Sequence, residues 1–135
     1  MSGLPEASVE LTVPFHDVDP LLVVWHGHYF KYLEHARTAL MKRCALDVPD
    51  LVALGYRMMV IESQCRHVRP LRYDERFRVT ARFLDVDHRL MVAYELHSVT
   101  HDRRVARART SLVTTTPDGA LLLETPHAIR SRIVA

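Results

Sequence analysis

The stretch that decides the reading of this chain is Phe15-His16-Asp17-Val18-Asp19-Pro20-Leu21-Leu22-Val23-Val24-Trp25-His26-Gly27-His28-Tyr29. It joins a predicted strand to a predicted long helix and holds two carboxylates and three histidines. Because the first N–H groups of a helix lack intrahelical acceptors, such a junction favours a developing negative charge. Asp19, on the loop just before it, is therefore a candidate nucleophile or general base for acyl transfer. Gly27 allows a ligand to approach the backbone closely.

Downstream of the junction, apolar residues recur at helical spacing from about His28 to Cys44. The series is Tyr29, Leu33, Ala36, Leu40 and Cys44, and it is widened by Phe30, Tyr32 and Met41. An apolar face this wide predicts a largely buried helix. A short second helix is expected over residues 47–54, with Asp47 as its N-cap and Gly55 as its stop.

The rest of the chain has the period of two that is typical of strands. Strands are predicted over 8–16, 57–68, 76–86, 90–99, 105–115 and 120–123, with turns at Asp102-Arg103-Arg104 and Pro117-Asp118-Gly119. A strand, a buried helix and then antiparallel strands in meander favour an α+β fold, with one curved antiparallel sheet packed around one helix. We expect residues 1–135 to form a single domain. A small sheet leaves free edges, so we expect at least a dimer.

Composition narrows the functional classes. The 135 residues are 48% apolar and 25% charged, and 18 basic against 16 acidic residues give a net charge of +2. This balance lacks the basic stripe of a dedicated nucleic-acid binder. No run approaches a membrane span, and residues 1–10 do not read as a signal peptide, so a cytoplasmic protein is expected. Cys44 and Cys65 are expected to be reduced thiols.

Several motifs carry a family resemblance. They are Asp19-Pro20, Val23-Val24, Trp25-His26-Gly27-His28-Tyr29, Tyr32-Leu33-Glu34-His35-Ala36-Arg37 and Val68-Arg69-Pro70-Leu71-Arg72-Tyr73-Asp74-Glu75. Together they resemble the hotdog-fold acyl-CoA thioesterases of the 4-hydroxybenzoyl-CoA thioesterase and YbgC-like type. The likeness covers nearly the whole chain, including the turn at 117–119 and Pro126. Two departures stand out, because this chain has Pro20-Leu21-Leu22 where the family often has glycine, and His28 where it has asparagine.

The resemblance implies a hotdog dimer or tetramer that hydrolyses acyl thioesters. It makes Asp19 the catalytic carboxylate and the backbone N–H of His26 the group that polarises the carbonyl oxygen. It implies no cofactor and no metal. Candidate substrate-binding residues are Trp25, Gly27, His28 and Tyr29 near the acyl group, and Arg69 and Arg72 near coenzyme A phosphates. Trp25, Tyr29 and Phe30 fit core packing equally well.

Alternatives remain open from the residues themselves. Asp19 could be a turn or cap residue, and Asp17 is expected to accept loop hydrogen bonds. The imidazole of His26 could orient water, and Glu34 could replace Asp19 or pair with Arg37 or Lys31. The histidines and aspartates of 16–28 could be read as a metal cluster, which the resemblance does not support. An acyl carrier protein could replace coenzyme A as the acyl carrier, and a non-catalytic acyl-CoA-binding protein is the third possibility.

Overall fold

A computed structural model describes residues 4–134. Its helices and strands are β1 (Glu6–Thr12), α1 (Tyr29–Arg43), α2 (Val48–Leu54), β2 (Arg57–His67), β3 (Arg76–Asp85), β4 (Leu90–Ser98), β5 (Arg103–Thr115) and α3 (His127–Ile133). Two single-turn 3₁₀ helices, Phe15–Asp17 and His26–His28, lie between β1 and α1. The five strands form one antiparallel sheet in the order β1-β3-β4-β5-β2.

The core lies between α1 and one face of the sheet. Alternation along β3 buries Phe77, Val79, Ala81 and Phe83 completely, and the opposing side of α1 buries Leu33, Ala36 and Leu40. Both elements follow the predicted periods, because a pleated strand shows one face every second residue and a helix every third or fourth. The expected α+β class is confirmed, with the curved sheet around one buried helix that defines the hotdog fold.

Strand β2 does not take the place that a simple meander gives it. The meander holds for β3, β4 and β5, but β2 crosses to the far side of the sheet and pairs with β5. Its other side is a free edge, and a bulge lies at Ile61. Met59, Val60 and Ile61 are all exposed. A long apolar edge strand of this kind is an aggregation hazard for an isolated chain.

Four features differ from the sequence predictions. The turn expected at Asp102-Arg103-Arg104 lies earlier, at residues 99–102, where Asp102 takes the left-handed conformation with φ 51°, and Arg103 and Arg104 already belong to β5. β1 ends at Thr12 rather than residue 16, since Pro14 offers no N–H to the ladder and the chain then turns into a 3₁₀ helix. The strand expected over 120–123 is reduced to one bridge between Thr115 and Leu121. The helix α3 was not predicted, because only its buried Ile129 and Ile133 give a helical signal.

Helix α2 confirms its predicted ends. Asp47 and Asp50 form a capping box, and Gly55 follows the helix in the left-handed conformation with φ 83°. Among residues 4–134, no helix combines the length and apolar character needed to cross a membrane. Cys44 is buried and Cys65 is half-buried, and neither forms a disulfide.

Candidate active site

The loop between β1 and α1 is a small hairpin rather than an open turn. The Trp25 N–H donates to the Asp17 carbonyl at 3.1 Å, and the Asp19 N–H donates to the Val23 carbonyl at 2.9 Å. The loop after β2 pairs with the outer side of this hairpin, through a bridge between Val23 and Arg72. Asp19 is thereby held near the hairpin tip, two residues or about 7 Å along the strand from the Asp17–Trp25 pair.

One carboxylate oxygen of Asp19 accepts a hydrogen bond from the hairpin turn, and the other accepts none from the described residues. Oδ1 accepts the Leu21 N–H at 2.8 Å, the Asx geometry of the turn-residue alternative. Within the described residues, no hydrogen-bond donor reaches Oδ2. Asp19 is half-buried, and it lines neither of the two cavities described below. Its assignment as the catalytic carboxylate stays a prediction.

The departure from the family pattern after Asp19 has a backbone consequence. Leu22 has φ 64°, in the left-handed region that glycine adopts without cost. A leucine there costs about 1–2 kcal/mol of strain. The side chains of Leu21 and Leu22 are both exposed, so the substitution gives the hairpin an apolar tip.

The start of α1 carries two free amide groups. The His28 N–H donates to the Trp25 carbonyl at 2.9 Å and the Tyr29 N–H donates to the His26 carbonyl. Between residues 4 and 134, neither the His26 nor the Gly27 N–H has an acceptor. Both groups precede the helix, where its dipole favours negative charge. The predicted donor, the His26 amide, is therefore available to a ligand oxygen.

Trp25 covers the face of Gly27. A Cβ added to Gly27 would lie 2.1 Å from the indole ring, so the residue that approaches this glycine closely is Trp25. The half-exposed indole also contacts two imidazoles, with ring centroids 5.0 Å from His26 and 5.4 Å from His28. Trp25, His26 and His28 thus form one aromatic surface beside the free amides.

Asp17 takes a different role from the loop contacts expected for it. Only 1% of it is exposed, and its carboxylate accepts hydrogen bonds from two side chains of α1, Lys31 Nζ at 2.6 Å and Tyr32 Oη at 2.5 Å. His16 and His28 lie farther off, at 3.7 and 3.9 Å. Burial alone would raise the pKa of Asp17, but the hydrogen bonds from Lys31 and Tyr32 and the charge of Lys31 together hold it below its usual value.

Tyr29 takes the packing role, and its neighbour His67 was missed by sequence reasoning. Tyr29 is 2% exposed, and its hydroxyl accepts the Leu71 N–H at 3.2 Å. The His67 ring meets Tyr29 edge-on at 4.4 Å. Burial lowers the pKa of His67, and the nearby His26 lowers it further. The only signal in the sequence was its position, two residues after Cys65 on the inner face of β2.

Arg69 and Arg72 lie on the loop that pairs with the hairpin. Both are exposed, and neither guanidinium forms an ion pair with another described residue. Around them lie the exposed apolar side chains of Phe15, Leu21, Leu22, Trp25, Val68 and Tyr73. We call this set the hairpin patch. The hairpin patch combines unpaired arginine side chains with exposed apolar side chains. Monomeric proteins rarely expose a large apolar patch of this kind.

Two cavities open elsewhere on the molecule. A groove of about 250 Å³ lies between α1 and the β2 side of the sheet. A hollow of about 800 Å³ lies on the opposite sheet face and contains five arginines, Arg66, Arg78, Arg82, Arg107 and Arg109. Glu34 lines the groove and pairs with Arg37 at 3.7 Å, as one alternative expected. No group of three or more metal-ligating side chains occurs in the described part of the chain.

Comparisons with known proteins agree with this architecture. A family model described as the thioesterase-like superfamily matches residues 13–133. A candidate esterase from Aquifex aeolicus is 28% identical over 67 residues, which are 50% of this chain and 52% of that protein. The chain spans between about a third and a half of the length of the curated relatives it matches.

Solved structures match over the whole fold. A 1,4-dihydroxy-2-naphthoyl-CoA thioesterase from Synechocystis superposes with a TM-score of 0.83 at 18% identity, covering 96% of each chain. A 4-hydroxybenzoyl-CoA thioesterase variant, solved with 4-hydroxybenzoyl-CoA, gives a TM-score of 0.83 at 18% identity over 95% of this chain and 98% of that chain. At such identities the likeness is one of fold.

Replacing Asp17 with asparagine should destabilise the fold by about 1–3 kcal/mol at neutral pH, because Lys31 loses its buried counter-charge. The native pKa of Asp17 lies below 3.8, so its contribution is complete above about pH 4 and fades as the pH falls through the native pKa. Urea unfolding from pH 7 to pH 3 measures this. Glu124→Gln, an exposed carboxylate, should change stability by less than about 0.5 kcal/mol; equal effects of the two variants would contradict the assignment.

Replacing Gly27 with alanine should displace the indole of Trp25, the one tryptophan of the chain. Since the displaced ring gains solvent, we expect its fluorescence emission to shift to longer wavelength with little change in Tm. Gly119→Ala is the control for emission: a Cβ there meets nothing within 4 Å, so the emission should stay unchanged, although the φ of 95° strains an alanine and should lower the Tm. An unchanged emission spectrum in the Gly27 variant would show that Trp25 does not rest on Gly27.

Proposed function

The chain belongs to the thioesterase-like superfamily, and we propose that it hydrolyses acyl thioesters carried by coenzyme A. The observation that carries this proposal is that one loop, between β1 and α1, holds both a carboxylate with a free oxygen and two amide groups without acceptors among the described residues. The structural neighbours named as aryl-CoA thioesterases support the choice of carrier. A thioester is a suitable substrate for a site with one carboxylate and two amide donors, because a thiolate leaves without strong protonation by a general acid.

In the proposed reaction the thioester carbonyl lies with its oxygen against the N–H groups of His26 and Gly27. Asp19 then either attacks the carbonyl carbon, forming an anhydride that water opens, or removes a proton from the attacking water. Either route gives the free acid and the coenzyme A thiol. One oxyanion donor is typically worth about 3–4 kcal/mol of barrier, and general-base help adds about 10²–10⁴ in rate.

The hairpin patch is the proposed binding surface for coenzyme A. Arg69 and Arg72 are unpaired cations on the loop that pairs with the hairpin, and guanidinium groups suit phosphate oxygens. Trp25 and the neighbouring imidazoles of His26 and His28 offer a flat surface for the pantetheine arm and the thioester.

We propose that two chains complete the site by pairing their β2 edges. β2 has no neighbouring strand on its outer side, and its residues 59–61 expose apolar side chains. Continuing the sheet into a second copy would satisfy the free backbone groups of this edge. Asp19 lines neither the groove nor the hollow of a single chain. A second copy would supply the wall that encloses it.

An acyl carrier protein is the second candidate for the acyl carrier. The five arginines of the hollow on the outer sheet face favour it, because such carriers are acidic. Glu6 and Glu95 also line the hollow and partly offset its charge. Rates on one acyl group presented by coenzyme A and by the carrier protein would separate the two.

Replacing Asp19 with asparagine should lower kcat for acyl-CoA hydrolysis by at least about 100-fold while preserving the fold, because the amide neither attacks nor accepts a proton efficiently. Thiol release over a panel of aromatic, short and long acyl-CoAs measures it. Asp102→Asn, on the β4–β5 hairpin with φ 51°, is the matched control. Full turnover in the Asp19 variant would remove this residue from the mechanism, and coenzyme A binding without hydrolysis by the wild type would favour a binding protein.

Placing lysine at both Met59 and Ile61 should convert a dimer to monomers, since charges on an edge strand oppose pairing. Sedimentation velocity measures the mass, and thiol release in the same samples should fall with it. Leu123→Lys, at an exposed apolar position away from β2, should leave the mass unchanged. A double variant that keeps the wild-type mass would place the interface elsewhere.

A further inference from the structure

The hollow on the outer sheet face places a short side chain between two long ones. Ala93 on β4 is the register partner of Arg82 on β3 and of Arg109 on β5, and all three line the hollow. Register partners of an antiparallel pair project to the same face of the sheet. Since neighbouring strands lie about 4.8 Å apart, the Cα atoms of the two arginines are separated by about 10 Å across the alanine. The alanine therefore leaves space between the two guanidinium groups.

Positive charge is concentrated in the lining of the hollow. Its five arginines and two glutamates, Glu6 and Glu95, give the lining a net charge of +3, whereas the whole chain has a net charge of +2. Among residues 4–134, none of the five arginines forms an ion pair, and the one side-chain hydrogen bond of the set joins Arg109 to Gln64 at 3.4 Å. Glu95 lies instead 3.6 Å from Arg104, which is outside the hollow. The hollow thus holds charge that the fold itself does not neutralise.

Two of these arginines occupy positions where their charges repel each other. Arg66 on β2 and Arg107 on β5 are direct register partners, and both are exposed in the lining of the hollow. Like charges directly opposite each other destabilise an antiparallel pair. A guanidinium group also stays protonated throughout the physiological pH range, so the repulsion is permanent. An anion bound between the two side chains removes it.

The size and the donors of the hollow favour an anion with several linked phosphate groups. Its volume is about 800 Å³, compared with about 30 Å³ for one molecule of liquid water, so a single phosphate group leaves most of it empty. Arginine presents its N–H groups as a planar fork that matches pairs of phosphate oxygens. Five such forks around one hollow provide donors for more oxygens than one phosphate carries.

The surroundings of the hollow favour a compact anion over an extended one. Glu6 on β1 lies opposite Arg82. Glu10 lies opposite Arg78 in the same pair of strands. Carboxylates therefore border the arginines at the β1 edge of the sheet and repel a nucleic acid or an anionic membrane that crosses this edge. The tyrosine of the lining, Tyr94, is 3% exposed, so it offers no ring face on which a base could stack.

We propose that the hollow binds a small free polyphosphate, a compound with two or three linked phosphate groups, between Arg82 and Arg109. The site is independent of the proposed thioester hydrolysis, because the described lining of the hollow contains no residue of the loop between β1 and α1. Arg66 and Arg107 complete the site from the β2 side and lose their mutual repulsion when the anion binds. Since the ligand binds the folded chain, it also raises the Tm.

Calorimetric titration of the intact protein with inorganic triphosphate, ATP and orthophosphate tests the site, at about 0.15 M salt to screen loose surface attraction. One triphosphate should bind per chain, and orthophosphate should bind about tenfold more weakly or less, because a single phosphate engages fewer guanidinium groups. Replacing Arg82 or Arg109 with glutamine should weaken triphosphate binding by about tenfold each. Equal affinities for triphosphate and ATP would assign recognition to the phosphate chain, whereas tighter binding of ATP would assign it to a nucleotide, and both results support the site.

Arg76→Gln is the matched control, because Arg76 is exposed on the same strand and face as Arg82 but does not line the hollow. The two residues are about 20 Å apart along β3, so the control should reduce the affinity by less than about threefold. Arg107→Gln separates binding from folding. It should weaken triphosphate binding without lowering the Tm of the free protein, because it removes the charge opposite Arg66.

Equal losses in the Arg76 and Arg82 variants would show a diffuse attraction of anions and overturn the inference, as would the absence of binding by both triphosphate and ATP. Affinity that rises with the length of a single-stranded oligonucleotide would assign the face to nucleic acid, and an acidic carrier protein that binds more tightly than triphosphate through Arg82 and Arg109 would assign it to a protein; either result contradicts a small ligand. Replacing Arg69 and Arg72 with glutamine should leave triphosphate binding unchanged, since a loss there would place the anion on the hairpin patch instead.

Discussion

The buried carboxylate of Asp17 is the interaction on which the candidate site depends. A charge this deeply buried is tolerated only with close partners, and both partners, Lys31 and Tyr32, stand on the first turn of α1. The backbone of Asp17 in turn holds Trp25 at the base of the hairpin. One residue therefore fixes the hairpin relative to the start of the helix. The positions of Asp19 and of the free His26 amide follow from that single connection.

A single chain presents only part of what the proposed chemistry needs. The His26 and Gly27 amides have no acceptor among the described residues, Asp19 lines neither the groove nor the hollow, and the side chains of the hairpin patch are exposed. The outer edge of β2 also has no neighbouring strand among the described residues, and its residues 59–61 expose apolar side chains. The second copy proposed above would pair with this edge and cover those side chains. The groove differs from them, because its lining comes from α1, β2 and β5 of one chain.

The periodic parts of the fold could be read from the sequence. Phe77, Val79, Ala81 and Phe83 alternate along β3, and Leu33, Ala36 and Leu40 repeat along α1. These patterns are local, because burial of one face dictates them residue by residue. Asp47 and Gly55 likewise marked the ends of α2 through their own backbone preferences. The hairpin segment could be singled out as chemical, since carboxylates, histidines and glycine lie together at a strand-to-helix junction.

What only the tertiary structure decided involves residues far apart in the chain. The sequence does not distinguish Asp17 from Asp19. In the fold, Asp17 is buried against Lys31 and Tyr32, whereas Asp19 lies at the tip of the hairpin. His67 meets Tyr29, and Ser63 lies opposite Thr110, because β2 pairs with β5 at the edge of the sheet. Strand order depends on how faces pack across the whole sheet, which no local period contains. The sequence alone therefore determined the elements and the kind of chemistry, whereas packing decided which carboxylate is buried and which strands lie side by side.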